Sequence, residues 1–322
     1  MKAKQVVGLA VLVGILVLVP VAALCQEKVS DTQWTQIVEQ IGDKGRINWS
    51  EGYIEAVGIG APPERSYGKP SARPLALRAA KLDAYRNLLE VTKGVRIDSS
   101  TTVRDFTVES DIINSQVEGI VRGAQIVGKD YLSDGTVEVT LRMPLAGSFA
   151  QVIIPKVIEK NVQKPPAPPA QVEQPVPVEP AAPSPAAPVP PVAPVAPDVK
   201  VAETPVPPAV LYTGLVVDAR GIQARPAMAP RILDEQGAEV YGTASVERDY
   251  AVQQGMSGYA RDLTSAQSNS RVTNNPLSVK GLKTQGPGRL DIVISSADAG
   301  LVRASAENAS FLKKCRVMIV LD

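Results

Sequence analysis

Histidine is absent from the 322 residues, and that absence decides more chemistry than any motif present. It removes a Ser-His-Asp or Cys-His nucleophile, a His-ligated zinc and the usual general base at neutral pH. Catalysis would have to rest on carboxylates, lysine, tyrosine or serine. Ser66-Tyr-Gly-Lys69 and Ser310-Phe-Leu-Lys313 both have the spacing at which a lysine activates a serine in penicillin-binding enzymes. The required Lys-Thr-Gly partner is missing, however, and its nearest relic, Lys283-Thr-Gln-Gly286, precedes Ser310. Asp218, Asp234 and Glu235 are the carboxylates that could act as a pair in a small carboxylate-dependent hydrolase. Asp234-Glu-Gln-Gly237 reads more simply as a hairpin turn. Asp218 and Arg220, beside Gly221, read as a structural pair at a strand end, with ligand binding as their alternative role. Gly58-Ile-Gly60 opens like a dinucleotide fingerprint, but Pro63 stands where the third glycine belongs, so a turn is expected. No catalytic, metal-ligating or cofactor-binding residue is assigned.

The positioning elements begin with an address. Lys2 and Lys4 precede an apolar run from Val6 to Val19, then Pro20, the small Ala22 and Ala23, and the polar Gln26 and Glu27. Basic, apolar, small, polar is the order of a secretory signal over residues 1–25. The run is also long enough for an uncleaved anchor, since a spanning helix needs about 17–25 residues. Cys25 stands where a lipid-bearing cysteine would become the first mature residue. Leu24 before it is larger than that processing prefers, so lipidation of Cys25 is the alternative to a soluble mature chain. Cys315 is then at most one of two cysteines in an exported protein. That is too few for a disulfide framework, so each body must be held by an apolar core. Cys315 itself reads as a small buried strand residue.

Residues 164–208 hold 17 of the 28 prolines. Proline removes donors and fixes φ, so residues 161–209 are expected to form an extended spacer between two independent bodies, 26–160 and 210–322. Charge is balanced, with 34 Lys+Arg against 33 Asp+Glu, and aromatic residues make up only 4% of the chain. Neither a basic excess nor stacking rings are available for nucleic acid.

In the first body the spacing predicts a short helix over Thr32 to Ile41, a strand over Ile47 to Gly60 and a long helix over Ser71 to Gly94. That helix would bury Leu77, Ala80, Ala84, Leu88 and Val91, and pair Arg86 with Glu90 on its wet side. A strand from Val95 to Val103 and a helix over Asp111 to Arg122 follow. Strands Gln125 to Leu132 and Thr136 to Met143, joined by Ser133-Asp134-Gly135, make a hairpin. The second body is strand-heavy, with strands near 211–217, 231–233, 238–241, 277–282, 290–295 and 315–321. Short helices are expected at Ser296 to Ser305 and at Gly258 to Ala266. Its first and last strands are apolar enough to be central neighbours. The fold class is α+β: two small domains, the first with helices on one face of a small sheet, the second mainly β, joined by the proline-rich linker.

Ala76-Leu-Arg-Ala-Ala-Lys-Leu-Asp-Ala-Tyr-Arg-Asn-Leu-Leu-Glu90, then Gly94-Val95, the Ile97 strand, and Val117-Glu-Gly-Ile120 to Gly123-Ala124, carry a resemblance over residues 50–145. This stretch resembles the small outer-membrane lipoprotein family whose domain also forms the N-terminal part of flagellar assembly protein T. The resemblance implies an exported, non-catalytic domain that helps assemble or brace envelope structures, and it carries over no catalytic residue. The chain departs from that family at Leu24-Cys25 and in adding the spacer and second body. The expected role is thus binding and assembly in the periplasm, with or without outer-membrane association. Expected partners are envelope proteins or peptidoglycan, and the membrane is met only through the N-terminal segment or a lipid. The alternatives are a peptidoglycan or outer-membrane-machine adaptor unrelated to flagella, and the carboxylate-dependent hydrolase.

Overall fold

In a computed structural model, residues 36–163 and 211–322 are described. The expected signal segment, Cys25 and the proline-rich stretch lie outside the described residues. Among those described, no helix is long and apolar enough to cross a membrane.

The first body is a five-stranded antiparallel sheet in the order β1-β2-β3-β5-β4. Its strands are β1 (Val38–Ile41), β2 (Gly45–Asn48), β3 (Tyr53–Gly60), β4 (Gln125–Tyr131) and β5 (Val137–Pro144). Helix α1 (Ala72–Lys93) covers one face. It buries Ala76, Ala80, Ala84, Leu88 and Val91, with Leu77, Tyr85 and Leu89 packed beside them. Ile54, Ala56, Gly58 and Gly60 of β3 point toward it. Glu55, between Arg46 of β2 and Arg142 of β5, points to the opposite face. Helices α2 (Val103–Glu109) and α3 (Asp111–Arg122) follow, and α3 buries Ile113, Val117 and Val121.

Four expectations change here. The Thr32 to Ile41 stretch ends in strand β1, not in a helix, because its run of Ile37, Val38 and Ile41 finds a partner in β2 across a turn at Gly42, φ +61°. The single strand Ile47 to Gly60 is a hairpin, broken where Gly52 takes φ +71°. The Val95 to Val103 strand is reduced to an extended stretch with one bridge, Arg96 to Thr102. There Thr102 and Asp105 close a capping box and start α2. Arg86 and Glu90 do not form an ion pair among the described residues, and both are exposed. A helix not expected from the sequence is α4 (Ser148–Gln163), which has Pro155 inside it and buries Phe149, Ala150, Ile153, Ile154 and Val157.

The second body is a seven-stranded mixed sheet in the order β8-β7-β11-β10-β6-β12-β9. Its strands are β6 (Gly214–Asp218), β7 (Arg231–Leu233), β8 (Glu239–Tyr241), β9 (Gly258–Ala260), β10 (Pro276–Gln285), β11 (Asp291–Ile294) and β12 (Val317–Val320). β6 and β12 are parallel neighbours at its centre, as their apolar runs predicted, and both are almost wholly buried. Helices α5 (Arg248–Gln254), α6 (Leu263–Gln267) and α7 (Ser296–Ala309) complete it. The helix expected from Gly258 is strand β9, with α6 beginning only after Asp262 caps it. Cys315 is buried as expected, but it lies in a left-handed turn ahead of β12, not in the strand.

The bodies are not independent. The described residues form one compact unit, and a single apolar cluster runs through both, from Ile37 and Trp49 to Tyr259 and Leu321. The extended stretch after α1 finds its partner in the other body: Met228 N–H donates to Arg96 O at 3.1 Å and Ala229 N–H to Ile97 O at 2.8 Å. α4 packs on α5 and on the turn Thr243–Ser245.

Candidate functional site

The docking seam is organised around Glu39 and Trp49. Trp49 follows β2 in the hairpin bend and is buried there. Its Nε1 donates to Glu39 Oε2 at 3.1 Å, and its ring meets Tyr259 of β9 edge-on, with centroids 5.9 Å apart. Glu39 also accepts from Arg96 and, across the seam, from Arg225 at 3.4 Å. Arg261 donates to Gln36 O at 3.1 Å and Gly147 N–H to Val252 O at 2.8 Å. Trp49 is also a wall of a recess with two chambers. The inner one is small, about 60 Å³, and apolar, with Leu145, Ile154, Met228 and Met256 among its walls. The outer one is about 460 Å³ and polar, and includes Ser50, Glu51, Asn269, Ser270 and Arg271. Trp49, Gly52, Ala146, Gln254 and Ser257 line both.

Two groups in this recess are unusual. Arg271 is half-buried, and its guanidinium donates to three main-chain carbonyls: Gly255 O at 3.1 Å, Cys315 O at 2.8 Å and Gln254 O. Among the described residues no carboxylate lies within ion-pair distance of it. Burial pushes its pKa down, partly opposed by Tyr241, Cys315 and Tyr259. Ser257 Oγ is buried beside the Tyr259 hydroxyl, which it helps to stabilise, and makes no other hydrogen bond. A half-buried cation without an anion carries a desolvation cost that a bound anionic ligand would relieve.

The residues singled out by sequence lie elsewhere. Asp218 ends β6, and Arg220 grips it with two hydrogen bonds of 2.7 Å, an interaction that holds the Asp218 carboxyl below its usual range. Beside them, Gly221 N–H donates to Asp322. The pair is the structural strand-end contact, outside the recess. Asp234 anchors the β7 to β8 turn by accepting from Ala238 N–H at 2.8 Å, and Arg303 pairs with its second oxygen at 2.9 Å. Burial raises its pKa, but Arg303 and the turn amides outweigh this and leave it lowered. Glu235 accepts from Ser296 at the start of α7. Neither carboxylate faces the other across an open site. Ser310 takes φ +53° in closing α7, and Ser66 is a buried residue of a 3-10 turn, so neither forms a serine–lysine pair. Cys315 is buried with its thiol pushed up to about 11 by burial, the opposite of a reactive thiolate. Gly58 and Gly60 do not turn the chain. They lie within β3, where a Cβ at Gly58 would sit 2.0 Å from Ala84 N and one at Gly60 would sit 2.3 Å from Ala76 O.

Sequence reasoning missed Trp49, Ser257 and Arg271. The only signal was Trp49 itself, one of two tryptophans in a chain of few aromatics. Comparison with known proteins adds one family: the model described as the second domain of Treponema pallidum Tp0624 matches residues 214–322, which is the second body alone. No curated protein matches the chain.

Proposed function

We propose that this chain is an exported cell-envelope protein that acts by binding and assembly, without catalysis, and meets its partner as one docked two-body unit. The observation that carries the binding role is the recess at the seam. It offers neutral hydrogen-bonding groups, an aromatic wall and one half-buried cation, while Asp234, Glu235 and Asp218 are each spent on a structural contact. The envelope address rests on the N-terminal order of basic, apolar and small residues. The resemblance of residues 50–145 to the lipoprotein and flagellar-assembly domain supports an assembly role, in the flagellum or another envelope machine. An adaptor to peptidoglycan or to an outer-membrane machine fits the same recess.

Two measurements test this reading. Cell fractionation should recover the chain from the periplasm or envelope, and intact mass should give a mature chain starting at Leu24 or Gln26. A diacylglycerol adduct would place Cys25 on a lipid anchor, and recovery from the cytosol with residues 1–25 intact would overturn the address. A photo-reactive residue at the exposed Asn269, at the mouth of the recess, should cross-link the full chain to a defined envelope component. The same probe at the exposed Gly119 of α3 should not.

A further inference from the structure

We propose that the recess between Trp49 and Arg271 binds the free C-terminal carboxylate of a short, otherwise uncharged peptide. This rests on the binding role proposed above and names the class of its ligand.

The charge argument comes first. Arginine has five N–H donors. Gly255 O and Cys315 O take the two on Nη1, and Gln254 O takes one on Nη2. Nε–H and the second Nη2–H have no acceptor among the described residues. Two donors of the guanidinium thus remain for a ligand carboxylate, an acceptor that arginine holds with charge-assisted hydrogen bonds. The main chain leaves space beside Nε. A Cβ at Gly258 would come within 3.2 Å of Arg271 Nε and 2.5 Å of Met318 Sδ, so glycine keeps Nε uncovered. The carbonyls fix the guanidinium but do not neutralise it, and a ligand carboxylate would.

The neutral groups narrow the class. Ser257 Oγ, buried beside the Tyr259 hydroxyl, lies in the wall shared by both chambers. Gln254 donates to Lys314 O, Asn269 Oδ1 accepts from Arg271 N–H and Ser50 Oγ accepts from Ile37 N–H. This leaves the Gln254 carbonyl, the Asn269 amide N–H groups and the Ser50 and Ser270 hydroxyl protons to match the acceptors and donors of a peptide backbone. Glu51, the one carboxylate of the lining, already accepts from Gln36 at 2.6 Å and disfavours further negative charge on the ligand. The inner chamber, about 60 Å³ and apolar, suits one small side chain such as the methyl of alanine.

The test uses the full mature chain carrying Trp34→Phe, so that Trp49 alone reports, with N-acetyl-alanyl-alanine and its C-terminal amide as probes. The acid should change Trp49 emission saturably and bind about tenfold or more tightly than the amide, the difference expected of a charge-assisted pair. Arg271→Gln should erase that preference. Gly258→Val, which fills the space beside Nε, should weaken the acid. Equal binding of acid and amide, or no response to either, overturns the proposal on the wild-type residues alone, whether or not the variants fold. Free alanine binding as well as the acid would also overturn it, because the backbone groups would then contribute nothing. A chain recovered from the envelope that ignores the carboxylate defeats this inference and leaves the binding role standing. A cytosolic chain that prefers the acid does the reverse.

Discussion

Asp83 and Asn87, polar residues in the middle of the most distinctive helix, do the work of a missing strand. β2 pairs with β3 as far as Ala56, Val57 N–H still donates to Lys44 O at 2.8 Å, and beyond that one edge of β3 is open. Asp83 Oδ2 accepts from Ile59 N–H at 2.9 Å and from Lys44 Nζ at 3.3 Å, while Asn87 Nδ2 donates to Val57 O at 2.7 Å. The segment Asp83-Ala-Tyr-Arg-Asn87 thus has a structural explanation for its two polar positions. The Ile59 amide lowers the Asp83 carboxyl below its ordinary 3.8; burial opposes this, and Lys44 and Asn87 reinforce it. A pKa depressed by folding means stability that is present above the unfolded value and lost as pH falls through the folded one. Asp83→Asn should therefore cost about 1–2 kcal/mol at pH 7. In thermal melts, its deficit against the wild type should shrink as pH is lowered below about 4. A deficit independent of pH would mean that packing, not the carboxylate, is what the substitution disturbs.

Helix α1 lies on β3 closely enough for main chains to touch, because each partner gives up its side chains at the contact. Ala76, Ala80 and Ala84 form the helix stripe, and Gly58 and Gly60 form the strand surface. Gly58→Ala puts a methyl into the backbone of α1, so helix or strand must move, at about 3 kcal/mol. Gly119→Ala on α3 meets nothing within 4 Å and should stabilise by about 0.5–1 kcal/mol through helix propensity. Chemical denaturation of the two variants checks the contrast, and equal effects would mean that the α1 contact is loose. The alanine stripe of α1, the span of α3 and the β4 to β5 hairpin were legible in the sequence because each pattern is local and periodic. So was the pairing of β6 with β12, since both runs are apolar throughout. What stayed hidden depended on distant partners. β1 is a strand only because β2 lies beside it, and Arg96 and Ile97 are extended against Met228 and Ala229. α4 carries Pro155 in its interior, which masks a helix that burial against α3 and α5 stabilises. The recess was illegible for the same reason, as Trp49 and Arg271 are 222 positions apart in the numbering.

The docked arrangement changes what the chain can do. Two bodies on a spacer would hold two partners apart, whereas two bodies sharing a core present one surface with a recess at the seam. The seam combines main-chain hydrogen bonds at Met228 and Ala229, the Glu39 and Arg225 pair, the Trp49 ring against Tyr259, and the buried side chains of α4. Inter-domain contacts within a chain are often small and polar enough to permit relative motion. A continuous apolar cluster favours joint unfolding instead. Calorimetry should therefore show one transition for the full chain, with the calorimetric enthalpy equal to the van't Hoff value. Covalent linkage contributes to that result through effective concentration, so a second measurement separates it from the seam itself. A site-specific protease sequence placed between Pro180 and Pro190 allows the linkage to be cut after folding. If the shared core holds the bodies, the two fragments should co-elute on gel filtration at micromolar concentration after cutting. Trp49→Ala, which removes a ring buried at the seam, or Glu39→Gln with Arg225→Gln, should promote their separation. Fragments that part at once without any substitution would mean that the seam is too weak to act alone. The recess would then exist only while the chain is intact, and a carboxylate ligand should stabilise the uncut protein but fail to keep the cut halves together.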